Sequence, residues 1–174
     1  MPSKEKVPTT STGARGAYAH AEGNQTIAYG GSSHAEGFKS YAKGTYSHAE
    51  GQTNFAEGVA SHAEGNLTTA KGDYSHSEGQ KTVARGMYSH VVGQNTIATA
   101  DCQHVQGRFN LVDDYVDPDN GTIGRYIHIV GCGTADGKRA NAHTIDKQGN
   151  AWFAGNVACT GIQIGNTIFT EQQL

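Results

Sequence analysis

Cysteine is scarce in this chain: Cys102, Cys132 and Cys159 are the whole set among 174 residues, and no two form a C-x-x-C pair. An odd, widely spaced trio supplies neither a disulfide framework nor a zinc knuckle, and it fits assembly in a reducing cytoplasm. Large apolar side chains are also few. Hydrophobic residues make up 36% and aromatics 8%, too little for the single core of a self-contained globule of this length. No apolar run approaches the ~20 residues of a membrane helix, so membrane insertion is not expected. The opening stretch MPSKEKVPTTSTGARG has no apolar segment, so no secretory leader is expected either. Lys and Arg number 13 against 16 Asp and Glu, which leaves no basic excess for a nucleic acid partner. With charged residues at 17% and only 3 prolines, the composition is not that of a disordered chain.

Periodicity is abundant. His20, His34, His48, His62, His76, His90 and His104 are spaced by 14, and each is followed three residues later by a glycine, from Gly23 to Gly107. A second glycine column runs through Gly30, Gly44, Gly58, Gly72 and Gly86 and breaks at Ala100. Ala28, Ala42, Ala56, Ala70, Ala84 and Ala98 fill a third column without exception. The unit reads S-H-A-E-G-x-x-T-x-A-x-G-x-Y, two half-units of the same design. Within each half, small residues alternate with larger ones, the period of a strand. A coiled coil would need large apolar a and d positions, which here would be Ala, Gly or Ser. Two glycines per unit would cost a helix ~2 kcal/mol relative to Ala. The pattern therefore predicts a parallel stack of 14-residue coils, each with two short strands, rising ~4.8 Å per coil.

The expected interior is Ser or Thr, Ala and Gly, as in Ser33, Ala35 and Gly37 on one half and Thr82, Ala84 and Gly86 on the other. One outward face carries His34 with Glu36, His48 with Glu50 and so on. The other carries Ile27, Tyr41, Phe55, Thr69, Val83 and Ile97. Tyr18, Tyr46, Tyr74 and Tyr88 mark a corner before the histidines. An interior of Ala returns little against the entropy of ordering each coil, and an exposed apolar stripe marks an interface. Ile27, Tyr41, Phe55, Val83 and Ile97 are thus the expected contacts of a cyclic self-association, whose copy number spacing alone does not fix.

The segment Ala42-Lys43-Gly44-Thr45-Tyr46-Ser47-His48-Ala49-Glu50-Gly51 resembles the head repeat of trimeric autotransporter adhesins. The resemblance covers residues 12–107 and implies a left-handed parallel β-roll, three chains side by side, that binds host surface molecules. The S-H-A-E-G form is also similar to repeats in tail and fibre proteins of phages and prophages. The adhesins' secretion signal and C-terminal membrane anchor are not found here, which favours a virion or tail-like particle assembled in the cytoplasm. A bacterial surface adhesin head is the alternative. The family reading implies a homotrimer whose partners are other tail, baseplate or fibre proteins and a host-surface glycan or protein.

Residues 1–11 are expected to be a flexible lead-in, 12–107 the roll, and 108–174 a small β-rich C-terminal domain. Predicted strands there are Tyr126–Val130, Ala142–Asp146, Ala151–Ala154 and Ile162–Ile164, between turns at Asp117–Gly121, Thr134–Gly137 and Asp146–Asn150. Trp152 and Phe153 are expected to anchor its core. The stretch from Ala140 to Asp146 with Gly149 to Gly155 resembles a segment near the ends of phage tail and baseplate-associated proteins. Thr170-Glu171-Gln172-Gln173 has the outline of a helix-start capping box.

The histidine column is read as a structural ladder, each ring bonding a neighbouring Ser, Glu or backbone group. Metal or anion ligation across a threefold axis is the competing reading. Asp117, Asp119 and Asn120 form an ordinary Pro-Asp-Asn-Gly turn, with a calcium loop as the alternative. Repeated Glu36, Glu50 and Glu64 single out no acid–base pair, and no Ser-His-Asp or phosphate-loop signature is present. No enzymatic activity and no cofactor are expected. Glycan cleavage stays open because trimeric phage β-solenoids include glycan-degrading enzymes.

Overall fold

The computed structural model describes residues 12–157 together with the backbone of Gly161–Ile164 and Thr167–Thr170. The expected lead-in 1–11 and residues 171–173 of the expected capping box lie outside the described residues, while Thr170 ends a strand. The described residues hold strands and turns and no helix. They form a parallel β-solenoid of about seven 14-residue turns.

Two sheets run along the stack. The alanine sheet contains Gly13–Ala14, Ile27–Ala28, Tyr41–Ala42, Phe55–Ala56, Thr69–Ala70, Val83–Ala84 and Ile97–Ala98, in that order. The histidine sheet starts at His20–Ala21 and His34–Ala35 and continues through the five-residue strands that begin at His48, His62, His76, His90 and His104. Pairing is parallel and each residue meets its equivalent in the next coil: His48 opposite His62, Glu50 opposite Glu64, Gly51 opposite Gly65. A one-residue slip would turn every Ala outward, so the alternation fixes the register.

Corners are made twice per coil by a residue in the left-handed region. One column is Tyr18, Ser32, Tyr46, Ala60, Tyr74, Tyr88 and Cys102, and the other is Gln25, Lys39, Thr53, Leu67, Lys81, Asn95 and Phe109, all with φ of 42–61°. The conformation reverses the direction of the local N–H. His62 donates forward to Ser75 O at 2.9 Å, whereas Ala60 donates backward to Thr45 O at 2.8 Å. Backbone groups stay paired through the bend, which is why residues other than glycine tolerate it in every coil.

The interior is Ala on both sheets, flanked by polar side chains that bond within the stack. Ser33, Ser47, Ser61, Ser75 and Ser89 each donate to the glycine carbonyl three residues back at 2.6–2.8 Å. Buried Asn54 donates to the carbonyls of Glu50 and Gly65 and accepts from Thr68 N at 2.9 Å. Two expectations are corrected. Gly37 is exposed at a corner rather than inward, because the strand alternation ends at Glu36. The interior also admits more than Ser, Thr, Ala and Gly: Val91, Val105 and Ile129 are fully buried where they continue the inward column Ala35, Ala49, Ala63 and Ser77 of the histidine sheet.

The histidine sheet does not stop at residue 107. Tyr126–Cys132 pairs in parallel with His104–Arg108, placing His128 opposite His104 and Gly131 opposite Gly107. Asn141–Asp146 and Ala151–Phe153 then add antiparallel strands. Ile129 belongs to the same buried cluster as Ala84, Val91, Ala98 and Val105. The connecting loop is tied down by polar groups. Gln103, which replaces the repeat's Ser, accepts from Thr99 N at 2.9 Å and donates to Tyr126 O at 2.9 Å. Asp113 accepts from Arg125 N at 2.6 Å and Tyr126 N at 2.9 Å. Trp152 and Phe153 anchor no core: they are about half exposed on the edge strand. Gly161–Ile164 and Thr167–Thr170 form a separate antiparallel pair, the second strand unanticipated from the sequence.

Gly58 is buried without a left-handed backbone, and a Cβ there would lie 2.2 Å from Gly72 O and 2.5 Å from Gly72 C. Gly58→Ala is expected to lower stability by about 1–3 kcal/mol or more in urea unfolding. Ala60→Gly, at an exposed left-handed corner (φ 51°), should be neutral or stabilising within about 1 kcal/mol. Equal losses from both changes would contradict the close-approach explanation.

Candidate functional site

The face worth attention is built by the strands of the histidine sheet. Side chains there alternate in and out, so Ser47 and Ala49 go inward while His48 and Glu50 go outward. Stacked coils then place one imidazole over the next. From His34 to His104 the ring centroids are 4.7–4.9 Å apart and the planes lie within 14° of parallel. His20 caps one end edge-on at 5.1 Å.

Beyond His104 the column continues through two histidines that the sequence reading left out. His128 follows at 5.3 Å and His143 at 5.3 Å, and Phe153 closes the stack on His143 at 4.5 Å. All nine histidines of the chain therefore stand in one line. His128 carried a usable signal, since Gly131 follows it by three as in every coil. The spacing of 24 from His104 hid it. His143 arrives on an antiparallel strand and had no such mark.

Carboxylates interleave with the rings over part of the column. Glu50 lies 3.9 Å from His48 Nε2 and 3.8 Å from His62 Nε2; Glu64 lies 3.9 Å from His62 Nε2 and 3.5 Å from His76 Nε2. Glu22, Glu36 and Glu78 sit beside His20, His34 and His76 at 3.5–3.9 Å. Past that point Val92, Gln106 and Val130 take the glutamate position, so His90 keeps only Glu78 of the preceding coil, within 4.8 Å, and the column loses its carboxylates at His104 and His128. The Nε2 atoms of His34, His48, His62, His76, His90 and His104 are shielded from solvent and make no hydrogen bond. At these six Nε2 atoms the expected bond to Ser, Glu or backbone is not formed, and the rings lie stacked on one another.

Burial lowers the pKa of His62 first, and the charges of His76 and His48 add to it against the opposing pull of Glu64 and Glu50. His90 and His104 are lowered by burial and then by one histidine neighbour each. His128 is lowered by burial and by His104 and His143.

The other expected residues are placed as follows. Ile27, Tyr41, Phe55, Val83 and Ile97 stand in register on the outer side of the alanine sheet, with Thr69 between Phe55 and Val83. Ile27 is buried and the others are half-buried. Tyr41 and Phe55 stack at 5.2 Å, and Lys43 lies over Phe55 while pairing with Glu57 at 2.9 Å. In the 117–121 turn, Asp117 Oδ1 accepts from Asp119 N and Asn120 Oδ1 accepts from Thr122 N, both at 2.9 Å. Those oxygens serve the turn itself.

No protein-family model matches the chain, and no curated protein matches it significantly.

Histidines with lowered pKa leave the unfolded chain to bind protons first as pH falls. Their stabilisation is complete above the ordinary value of 6.5 and is lost as pH drops through their lower folded values. The urea midpoint should therefore fall between about pH 7.5 and about pH 5. Val92→Glu, which returns a carboxylate between His90 and His104, should reduce that fall. A midpoint insensitive to acid, or a steeper fall in the variant, would contradict the assignment.

Proposed function

We propose that the chain is a structural, surface-binding component of a phage tail, fibre or tail-like particle. Three copies stand side by side, their rolls forming a stiff shaft that displays binding surfaces to a host-cell glycan or protein. The observation that carries the assembly is the apolar column Ile27, Tyr41, Phe55, Val83 and Ile97, held in strict register along the alanine sheet. A roll whose interior is mostly Ala, Ser and Thr has little apolar area of its own, so covering the half-buried Tyr41, Phe55, Val83 and Ile97 with sister chains adds apolar burial, while Ile27 is already covered within one chain. Cyclic packing covers the same column on each copy. The S-H-A-E-G repeat and the Ala140–Gly155 segment, which are similar to phage tail sequences, support the setting.

Binding in this arrangement is multivalent. Three weak contacts on one rigid shaft raise avidity by about 10²–10⁴ when all can engage together. The repeated, equivalent glutamates offer binding chemistry along a line rather than a unique acid and base, so the role is binding and display.

Replacing Phe55 and Ile97 together by Asp should convert a species of three chain masses into single chains in sedimentation velocity, with at least hundredfold weaker binding to a cell surface that the parent holds. Unchanged mass would reject these residues as the interface.

A further inference from the structure

On the histidine face, imidazole nitrogens confront carboxylate oxygens. A neutral imidazole has one N–H, and a carboxylate has none. The Nε2 atoms of His34, His48, His62 and His76 are closed to solvent without a hydrogen-bond partner, and their nearest charged neighbours are glutamate oxygens at 3.5–3.9 Å. Those glutamates are themselves stacked in register, Glu50 against Glu64 and Glu64 against Glu78, so like charges repel along the sheet. Among the described residues no Lys or Arg pairs with any of them; the two Lys or Arg ion pairs there involve Glu57 and Asp136. A cation placed between the rungs would meet a negative charge and an imidazole nitrogen that offers its lone pair once the ring proton sits on Nδ1.

We infer that this face binds divalent transition-metal ions of the zinc class, each held within one chain by imidazole and carboxylate groups of adjacent coils. Three sets share no residue: His20, Glu22 and His34; Glu36, His48 and Glu50; His62, Glu64 and His76. In each, one ligand atom per residue lies within 4.8 Å of the others. Drawing them to zinc at ~2.0–2.2 Å takes side-chain rotation on a fixed sheet backbone and leaves a fourth position for water. Imidazole donors select zinc, copper or nickel over magnesium and calcium. Entry is open, because a groove lined by Glu36, Glu50, Glu64 and Glu78 runs beside the column. The inference needs no second chain, so it stands apart from the proposed trimer and its setting.

The test is equilibrium dialysis of the tag-free full chain against zinc chloride at neutral pH, with bound metal counted by mass spectrometry. Up to three zinc ions per chain are expected, with calcium and magnesium at the same concentration bound weakly or not at all. The triple change Glu22→Gln, Glu50→Gln and Glu64→Gln keeps side-chain shape and should weaken zinc binding by about tenfold or more, with unchanged circular dichroism. If the triple variant misfolds, Glu64→Gln alone should lose one zinc per chain. Less than one zinc per chain, equal binding of calcium, or folded Gln variants that bind zinc as the parent does would each overturn the inference.

Discussion

The closeness of successive coils is the constraint from which the rest follows. Each coil sits directly on the next, and at the buried glycine column an added Cβ would fall about 2 Å from a carbonyl oxygen of the following coil. Nothing with a side chain fits there while the next coil is regular. Ala100 shows the rule by its exception. It occupies the glycine position in the last regular coil, where its Cβ lies beside Gly124, close enough that a Cβ added to Gly124 would sit 2.5 Å from it. The same closeness keeps the interior small, so cohesion comes from the backbone ladder and from short bonds such as Ser61 Oγ to Gly58 O.

A strict repeat also multiplies whatever it displays. One histidine per coil becomes a continuous stack, one glutamate per coil becomes an acidic groove, and one apolar residue per coil becomes a stripe. None of these is special in a single coil. Their effects arise because identical groups stand a fixed distance apart: protonation of one ring disfavours the next, and like carboxylates call for a cation. In the proposed assembly the apolar stripe faces sister chains, leaving the histidine and glutamate face for the exterior. Structural and binding roles then fall on opposite sheets.

Much of the fold was legible in the sequence because composition and spacing agree. The invariant Ala column, the two glycine columns and the 14-residue period allow one register, and the strands at Tyr126, Asn141 and Ala151 begin within a residue of where the alternation placed them. The misreadings have separate causes, the first being local alternation extended past its range. Gly37 was carried inward across a corner, and the corner residues Tyr46, Ala60 and Leu67 gave no sign of their left-handed backbone, since that conformation is imposed by pairing with neighbouring coils. His128 and His143 were hidden by a loop of irregular length. Trp152 and Phe153 looked like core by size alone, but the buried cluster extends from the roll through Ile129 and bypasses them.

The central claim is that a single hydrogen-bonded stack runs from the first coils through the loop at Asp113 into Tyr126–Cys132. Native-state amide exchange tests it most directly. Protection should be lowest in the first coil at His20, rise to a plateau from His48 through His104, and hold that level at Ile129 and Val130, as nearest-neighbour coupling requires. A sharp drop in protection between His104 and Ile129, or independent opening of the central coils, would contradict it.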